Sequence, residues 1–93
     1  MHETHIVYVS SKRSFGSHMY QAEEVLDLFG KIELHALGEA CTMACEVAEK
    51  LVFNKAAKIT LMQTSSVELD SWQPGRKDKK TKLLIHLDKV DNA

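Results

Sequence analysis

The apolar positions of this chain recur with two periods, one typical of β-strands and the other of α-helices. Alternating or β-branched apolar runs predict four strands, at Thr4–Ser10, Lys31–Leu37, Lys58–Leu69 and Lys82–Val90. Spacings of three and four residues predict two helices, at Ser17–Phe29 and Glu39–Phe53. Ser14 or Ser17 can cap the first helix, and Gly30 stands where a C-cap glycine would.

The predicted elements follow the order β-α-β-α-β-β, which indicates an α+β fold. Each strand-helix-strand unit needs a right-handed crossover, so both helices can pack on one face of a mixed four-stranded sheet. The 93 residues, 44% of them hydrophobic, suffice for a single domain over 1–93. Such a small core favours a dimer as a further source of stability.

The segment between the last two predicted strands, Asp70 to Thr81, is too long for a tight hairpin turn. Trp72, Pro74 and Gly75 also argue against a two-residue turn. We therefore expect a long hairpin arm between the last two strands, mobile over approximately 70–81. Loops of this kind are usually functional or disordered.

Charge is concentrated in this same arm. The chain has a net charge of −1, but Gly75–Lys82 carries +4 and the remaining residues −5. The five basic residues of that segment, called the arm cations below, are Arg76, Lys77, Lys79, Lys80 and Lys82. Clustered positive charge attracts phosphates, because neutralising them releases counterions. A solvated, solubilising loop is the alternative interpretation.

Four segments, in the same order along the chain, match one known family. They are Ile-Glu-Leu-His-Ala-Leu-Gly-Glu-Ala at 32–40, Val47-Ala48-Glu49, Thr-Ser-Ser-Val-Glu-Leu at 64–69, and Gly75-Arg76. In these segments, and in its element order from Ile6 to about Lys89, the chain resembles the Alba family of nucleic-acid-binding proteins. The triplet Ala36-Leu37-Gly38 is similar to that of the short eukaryotic Alba-like group.

The resemblance implies a homodimer or heterodimer that grips nucleic acid between two hairpin arms. It also implies basic body residues at the exit of the first strand, matched here by Lys12 and Arg13, and at the junction marked by Gly38. DNA-coating members are basic around that glycine, whereas this chain has Leu37 and Glu39. Leu37 and Met43 are then candidates for a dimer or partner interface, with core packing as the alternative.

We therefore expect an RNA-binding protein that acts as a dimer, with the arm cations on phosphates; the resemblance implies messenger RNA handling or translational regulation. One alternative is a protein that binds double-stranded DNA in chromatin. Another is a subunit of the RNase P or RNase MRP type that works through heterodimerisation. Trp72 is either a stacking platform for a base or an anchor that tethers the arm.

Several other classes of function find no support in the residues. Cys41 and Cys45 with His35 lack the Cys-x-x-Cys spacing of structural zinc, so we expect core cysteines, no metal and no cofactor. His18, His35 and His86 accompany no catalytic motif, so we expect neither an enzyme nor a small-molecule substrate. The few cysteines and the absence of a long apolar run predict a soluble intracellular protein, cytoplasmic or also nuclear, that contacts no membrane.

Overall fold

A computed structural model describes residues 4–70 and 73–90, and it has the predicted element order. The elements are β1 (Ile6–Tyr8), α1 (Phe15–Phe29), β2 (Lys31–Leu37), α2 (Ala40–Phe53), β3 (Ala57–Asp70) and β4 (Lys77–Lys89). The four strands form one sheet in the order β1-β2-β4-β3. The β1 and β2 strands are parallel, and β4 is antiparallel to both of its neighbours, so the predicted mixed sheet is confirmed.

Both helices pack on one face of this sheet, as predicted. The inward side chains of the two central strands are almost fully removed from solvent; examples are Ile32, Leu34, Ile85 and Leu87. Alanines on α2 allow its axis to approach the sheet closely, and Ala44 and Ala48 are buried. The other face of the sheet, called the open face below, has no helix against it among the described residues.

The ends of α1 are set by local hydrogen bonds. The Ser14 hydroxyl accepts from the Ser17 backbone N–H at 3.1 Å, so Ser14 is the cap and the helix begins two residues earlier than predicted. Gly30 ends the helix at φ 74°, and its N–H donates to the Leu26 carbonyl at 2.8 Å. Within residues 4–70 and 73–90, no helix is long and apolar enough to cross a membrane.

The sequence pattern misassigned part of α2. The spacing of its apolar residues predicts one buried stripe made of Cys41, Ala44, Cys45, Ala48, Leu51 and Val52. Cys45 and Val52 are instead exposed, and the buried positions are Ala40, Ala44, Val47, Ala48 and Leu51. At 3.6 residues per turn the buried positions share one side of the helix, and Cys45 and Val52 lie just beyond its edge. Cys41 is partly buried against the core, whereas Cys45 lies at the surface.

The predicted hairpin arm is confirmed, but the connection between its two strands is shorter than the predicted 70–81. The β3 strand extends to Asp70, and β4 begins at Lys77, five residues before the predicted Lys82, so only residues 71–76 connect them. The part of β4 that the sequence did not predict, residues 77–81, is exposed on both faces and has no apolar residue. Hydrophobic periodicity detects a strand only where one face is buried.

Candidate nucleic-acid interface

The β3–β4 hairpin extends beyond the rest of the sheet. The last β2 residue, Leu37, pairs with Lys82, and past that point β4 pairs with β3 alone, from Ser66–Thr81 out to Asp70–Lys77. The described chain is accordingly elongated, measuring 55 Å along its longest axis and 24 and 22 Å across. The predicted arm is thus a projecting two-stranded ribbon, and four of the five arm cations lie on its β4 strand.

A turn of defined geometry lies next to the tip of the hairpin. The Arg76 N–H donates to the Gln73 carbonyl at 3.2 Å, and Gly75 between them has φ 79°. With Pro74 before that glycine, the segment has the features of a type II turn. Arg76 also donates from its guanidinium to Gln73 Oε1 at 3.2 Å. Trp72 lies outside the described residues, so its two predicted roles stay predictions.

The paired hairpin has a lower net charge than the segment Gly75–Lys82 taken alone. In the sequence, Gly75–Lys82 has Asp78 as its one acidic residue and a charge of +4. Pairing adds Glu68 and Asp70 from β3, so the five arm cations share one ribbon with three carboxylates and the net charge over 65–82 is +2. The position of each charge on the ribbon therefore matters more than the total.

The register separates the lysines of the hairpin by face. Lys79 pairs with Glu68 and Lys77 with Asp70, so these two lysines face carboxylates across the ribbon. Lys80 pairs instead with Val67, and Lys82 with Ser65. Because alternate residues of a strand point to opposite faces, Lys80 and Lys82 share the open face and the other two lysines share the helix side.

Gly38 joins the base of the hairpin to α2. Its N–H donates to the Thr81 carbonyl at 2.8 Å, and its φ of 59° is a conformation that favours glycine. A Cβ on Gly38 would lie 3.4 Å from Lys80 Cδ, so the lysine stem passes directly over the glycine. Gly38 thus lies against Lys80, one of the arm cations, and brings no charged side chain to that contact.

Lys12 and Arg13 lie at the same end of the molecule as this junction. They follow β1, which runs parallel to β2, so both strands end at the edge where β4 enters from the hairpin. The Arg13 guanidinium donates to Gln21 Oε1 at 2.8 Å and to Ser17 Oγ at 2.9 Å, which holds it against α1. Lys12 is exposed.

The loop that presents these two residues is held by a buried histidine, His18. His18 is 1% exposed; its Nε2 accepts from the Ser10 N–H at 3.1 Å. Its Nδ1 then carries the proton and donates to the Ser14 carbonyl at 2.9 Å. His18 therefore fixes both ends of the loop at 10–14.

The residues predicted as a partner interface differ in exposure. Leu37 is 39% exposed, beside the exposed Glu39 at the start of α2. Met43 is partly buried and packs against the core. A wider apolar surface lies elsewhere: the outer side of α2 meets β3 at Cys45, Val52, Ile59 and Met62, called the α2–β3 patch below.

Three histidines surround one carboxylate on the open face, an arrangement that no single segment of sequence indicated. Glu33 Oε2 lies 2.6 Å from His5 Nε2, and Glu33 Oε1 lies 3.1 Å from His35 Nε2. His86 Nε2, from β4, lies 3.4 Å from the same Oε1 without hydrogen-bond geometry. The hydrogen bonds from His35 and His5, helped by the nearby charge of His86, hold the pKa of Glu33 below its ordinary value of 4.5.

Replacing Glu33 with Gln should give a pH-dependent loss of stability. A carboxylate whose folded pKa is lowered stabilises the fold above its unfolded pKa, and that contribution disappears as the pH falls through the folded pKa. Denaturant unfolding of wild type and Glu33→Gln should therefore differ at pH 6 and converge as the pH falls through and below about 4. A difference that widens on acidification would contradict this account.

The described residues contain no cluster of His, Cys, Asp or Glu arranged to hold a metal ion. Cys41 and Cys45 are free thiols, and burial raises the pKa of the Cys41 thiol. The Cys41 Sγ lies 3.6 Å from the Thr81 carbonyl, so this cysteine packs against the base of the hairpin.

Comparison with known proteins identifies the architecture. No protein-family model matches the chain, and no curated protein matches it in sequence. Among solved structures it is similar to Alba from Thermoplasma volcanium, with 20% identity and a TM-score of 0.76 over 89% of this chain and 98% of that one. It is also similar to ALBA1 from Trypanosoma brucei, with the same identity and TM-score over 94% of this chain and 70% of that one. The chain therefore has the Alba fold.

Proposed function

We propose that this chain is an Alba-type RNA-binding protein that acts as a dimer, with the arm cations contacting phosphates. The projecting hairpin is the main support for this function: it is an exposed ribbon with four lysines on one strand and an arginine beside its turn. A ribbon of paired strands loses less conformational entropy on binding than an unpaired loop would. Lys12 would extend the contact onto the body.

Charge on the body favours single-stranded RNA over duplex DNA. Glu39 is exposed at the junction and would repel a phosphate placed there, while Leu37 beside it offers apolar surface. A rigid duplex must pass over the body to reach two arms, whereas a single strand can follow the hairpin alone. From the resemblance to the eukaryotic Alba-like group, we further propose handling of messenger RNA, in the cytoplasm, as the cellular role.

The α2–β3 patch is the surface that we propose for dimerisation. Val52, Ile59 and Met62 are 41%, 41% and 50% exposed, and a contiguous apolar surface of this kind commonly marks a protein interface. It lies on the helix side of the sheet, away from the open face.

Sedimentation should show wild type as a dimer and Met62→Asp as a monomer, because the substitution places a charge in the apolar patch. A monomeric wild type would leave a heterodimer with a second Alba-like chain as the alternative.

A side-by-side titration tests the choice of ligand. We expect a single-stranded RNA oligonucleotide to bind more tightly than a duplex DNA with the same number of phosphates, at the same salt concentration. Equal or tighter binding of the duplex would favour a chromatin-type DNA-binding protein. Binding of neither ligand would exclude the proposed function.

A further inference from the structure

The open face continues from the core sheet onto the hairpin without interruption. Lys80, Lys82, Leu84 and His86 alternate along β4 on this face, because Leu83, Ile85 and Leu87 between them are buried on the other. A shallow depression on the same surface is lined by Gln63, Thr64, Ser65, Lys82 and Leu84. The open face is therefore a continuous strip that runs from Asp78 and the two lysines on the hairpin to the histidine cluster.

The two faces of the hairpin differ in charge although each has two lysines. On the helix side, Lys77 and Lys79 stand opposite Asp70 and Glu68. On the open face, Lys80 and Lys82 stand opposite the uncharged Val67 and Ser65, and the one carboxylate of this part of the face, Asp78, lies beyond Lys80, opposite Leu69. Carboxylates directly opposite a lysine reduce its attraction for a phosphate, so the open face has the stronger positive potential.

An exposed aromatic ring lies on the same strip. Tyr8 pairs with His35, and His35 pairs with Leu84, so these three side chains form one row across β1, β2 and β4. Tyr8 is 70% exposed, and its ring contacts His35 at 5.5 Å between centroids. Lys82 lies one row further along β4. It is displaced from Tyr8 by about 7 Å along the strand direction and by about 10 Å across two strand spacings.

We propose that single-stranded RNA binds along the open face, with consecutive phosphates on Lys80 and Lys82 and a base stacked on Tyr8. The inference rests on the proposed function and adds the face on which the strand lies. Phosphates at the two lysines would have no carboxylate opposite them, and a base at Tyr8 would have an exposed π-surface. The helix side of the hairpin would contribute little.

Two double variants that remove equal charge test the choice of face. Lys80→Ala/Lys82→Ala removes the open-face lysines, and Lys77→Ala/Lys79→Ala removes their helix-side counterparts; all four side chains are exposed. We expect the open-face variant to bind a single-stranded RNA at least about tenfold more weakly than wild type, and the helix-side variant to lose about threefold or less. Thermal melts of both variants check that each remains folded.

The possible results separate this inference from the proposed function. Equal losses in both variants, or a larger loss in the helix-side variant, would overturn the choice of face and leave RNA binding by the hairpin intact. Wild-type affinity in both variants would overturn the inference, and the role of the arm cations in the proposed function with it.

The two exposed tyrosines provide a matched test of the stacking position. Tyr8 lies on the open face, and Tyr20, 74% exposed, lies on α1. Tyr8→Ala should weaken RNA binding about tenfold, because one stacked base is lost. Tyr20→Ala should leave the affinity unchanged. Equal affinity of the two variants would show that no base occupies Tyr8.

Discussion

Replacing all five arm cations with Ala should weaken binding of single-stranded RNA roughly 100-fold at low salt and nearly abolish its salt dependence. Each lysine or arginine that neutralises a phosphate releases counterions, so five such contacts would give a log–log salt slope of at most about −3.5 per protomer. Glu68 and Asp70, which lie across the ribbon from two of these residues, should make the wild-type slope shallower than that limit. Fluorescence anisotropy at several salt concentrations measures both quantities.

A variant that retains the charge is the control for this experiment. Changing the four lysines to Arg leaves five positive charges on the hairpin, so the affinity and the salt slope should stay near those of wild type. The five-alanine variant should fold normally, because every substituted side chain is exposed. Unchanged RNA affinity in a folded five-alanine variant would rule out the hairpin as the binding element.

Replacing Leu34 with Ala should lower the free energy of unfolding by about 2–5 kcal/mol, far more than a substitution at the surface. Leu34 is fully buried on β2, paired with Val7 on one side and Ile85 on the other. Its truncation leaves a cavity between the sheet and the helices that close-packed neighbours fill only in part. Denaturant unfolding followed by circular dichroism measures the change.

Leu28→Ala is the matched control, because it deletes the same atoms from a side chain that is 61% exposed on α1. Its unfolding free energy should stay within about 0.5 kcal/mol of wild type. Similar losses in the two variants would mean that the core does not lie where the sheet and helices place it.

The parts of the fold that sequence predicted well are those with one buried face. The β2 strand was predicted with its observed bounds, because Ile32, Leu34 and Ala36 alternate with polar residues and Gly30 and Gly38 flank them. The first five residues of β4, 77–81, have no such contrast, since all of them are polar and exposed. Their pairing depends on β3 and β4 meeting across a turn, which periodicity within one strand does not encode.

The sequence shows which cations lie close together in the candidate site, but not the charges that face them. The arm cations are adjacent in sequence, so their clustering was visible. Their opposition to Glu68 and Asp70 depends on strand register, which only the folded chain defines. The cluster around Glu33 was hidden for the same reason, because His5 and His86 reach that carboxylate from the two ends of the chain.

Amide chemical shifts of the isotope-labelled protein during titration with a single-stranded RNA test the central claim most directly. We predict that the largest changes fall on residues 65–70 and 76–82 and continue along the open face to Tyr8 and His35. Changes confined to the outer side of α1, around Tyr20 and Leu28, with the hairpin signals unmoved, would contradict the claim.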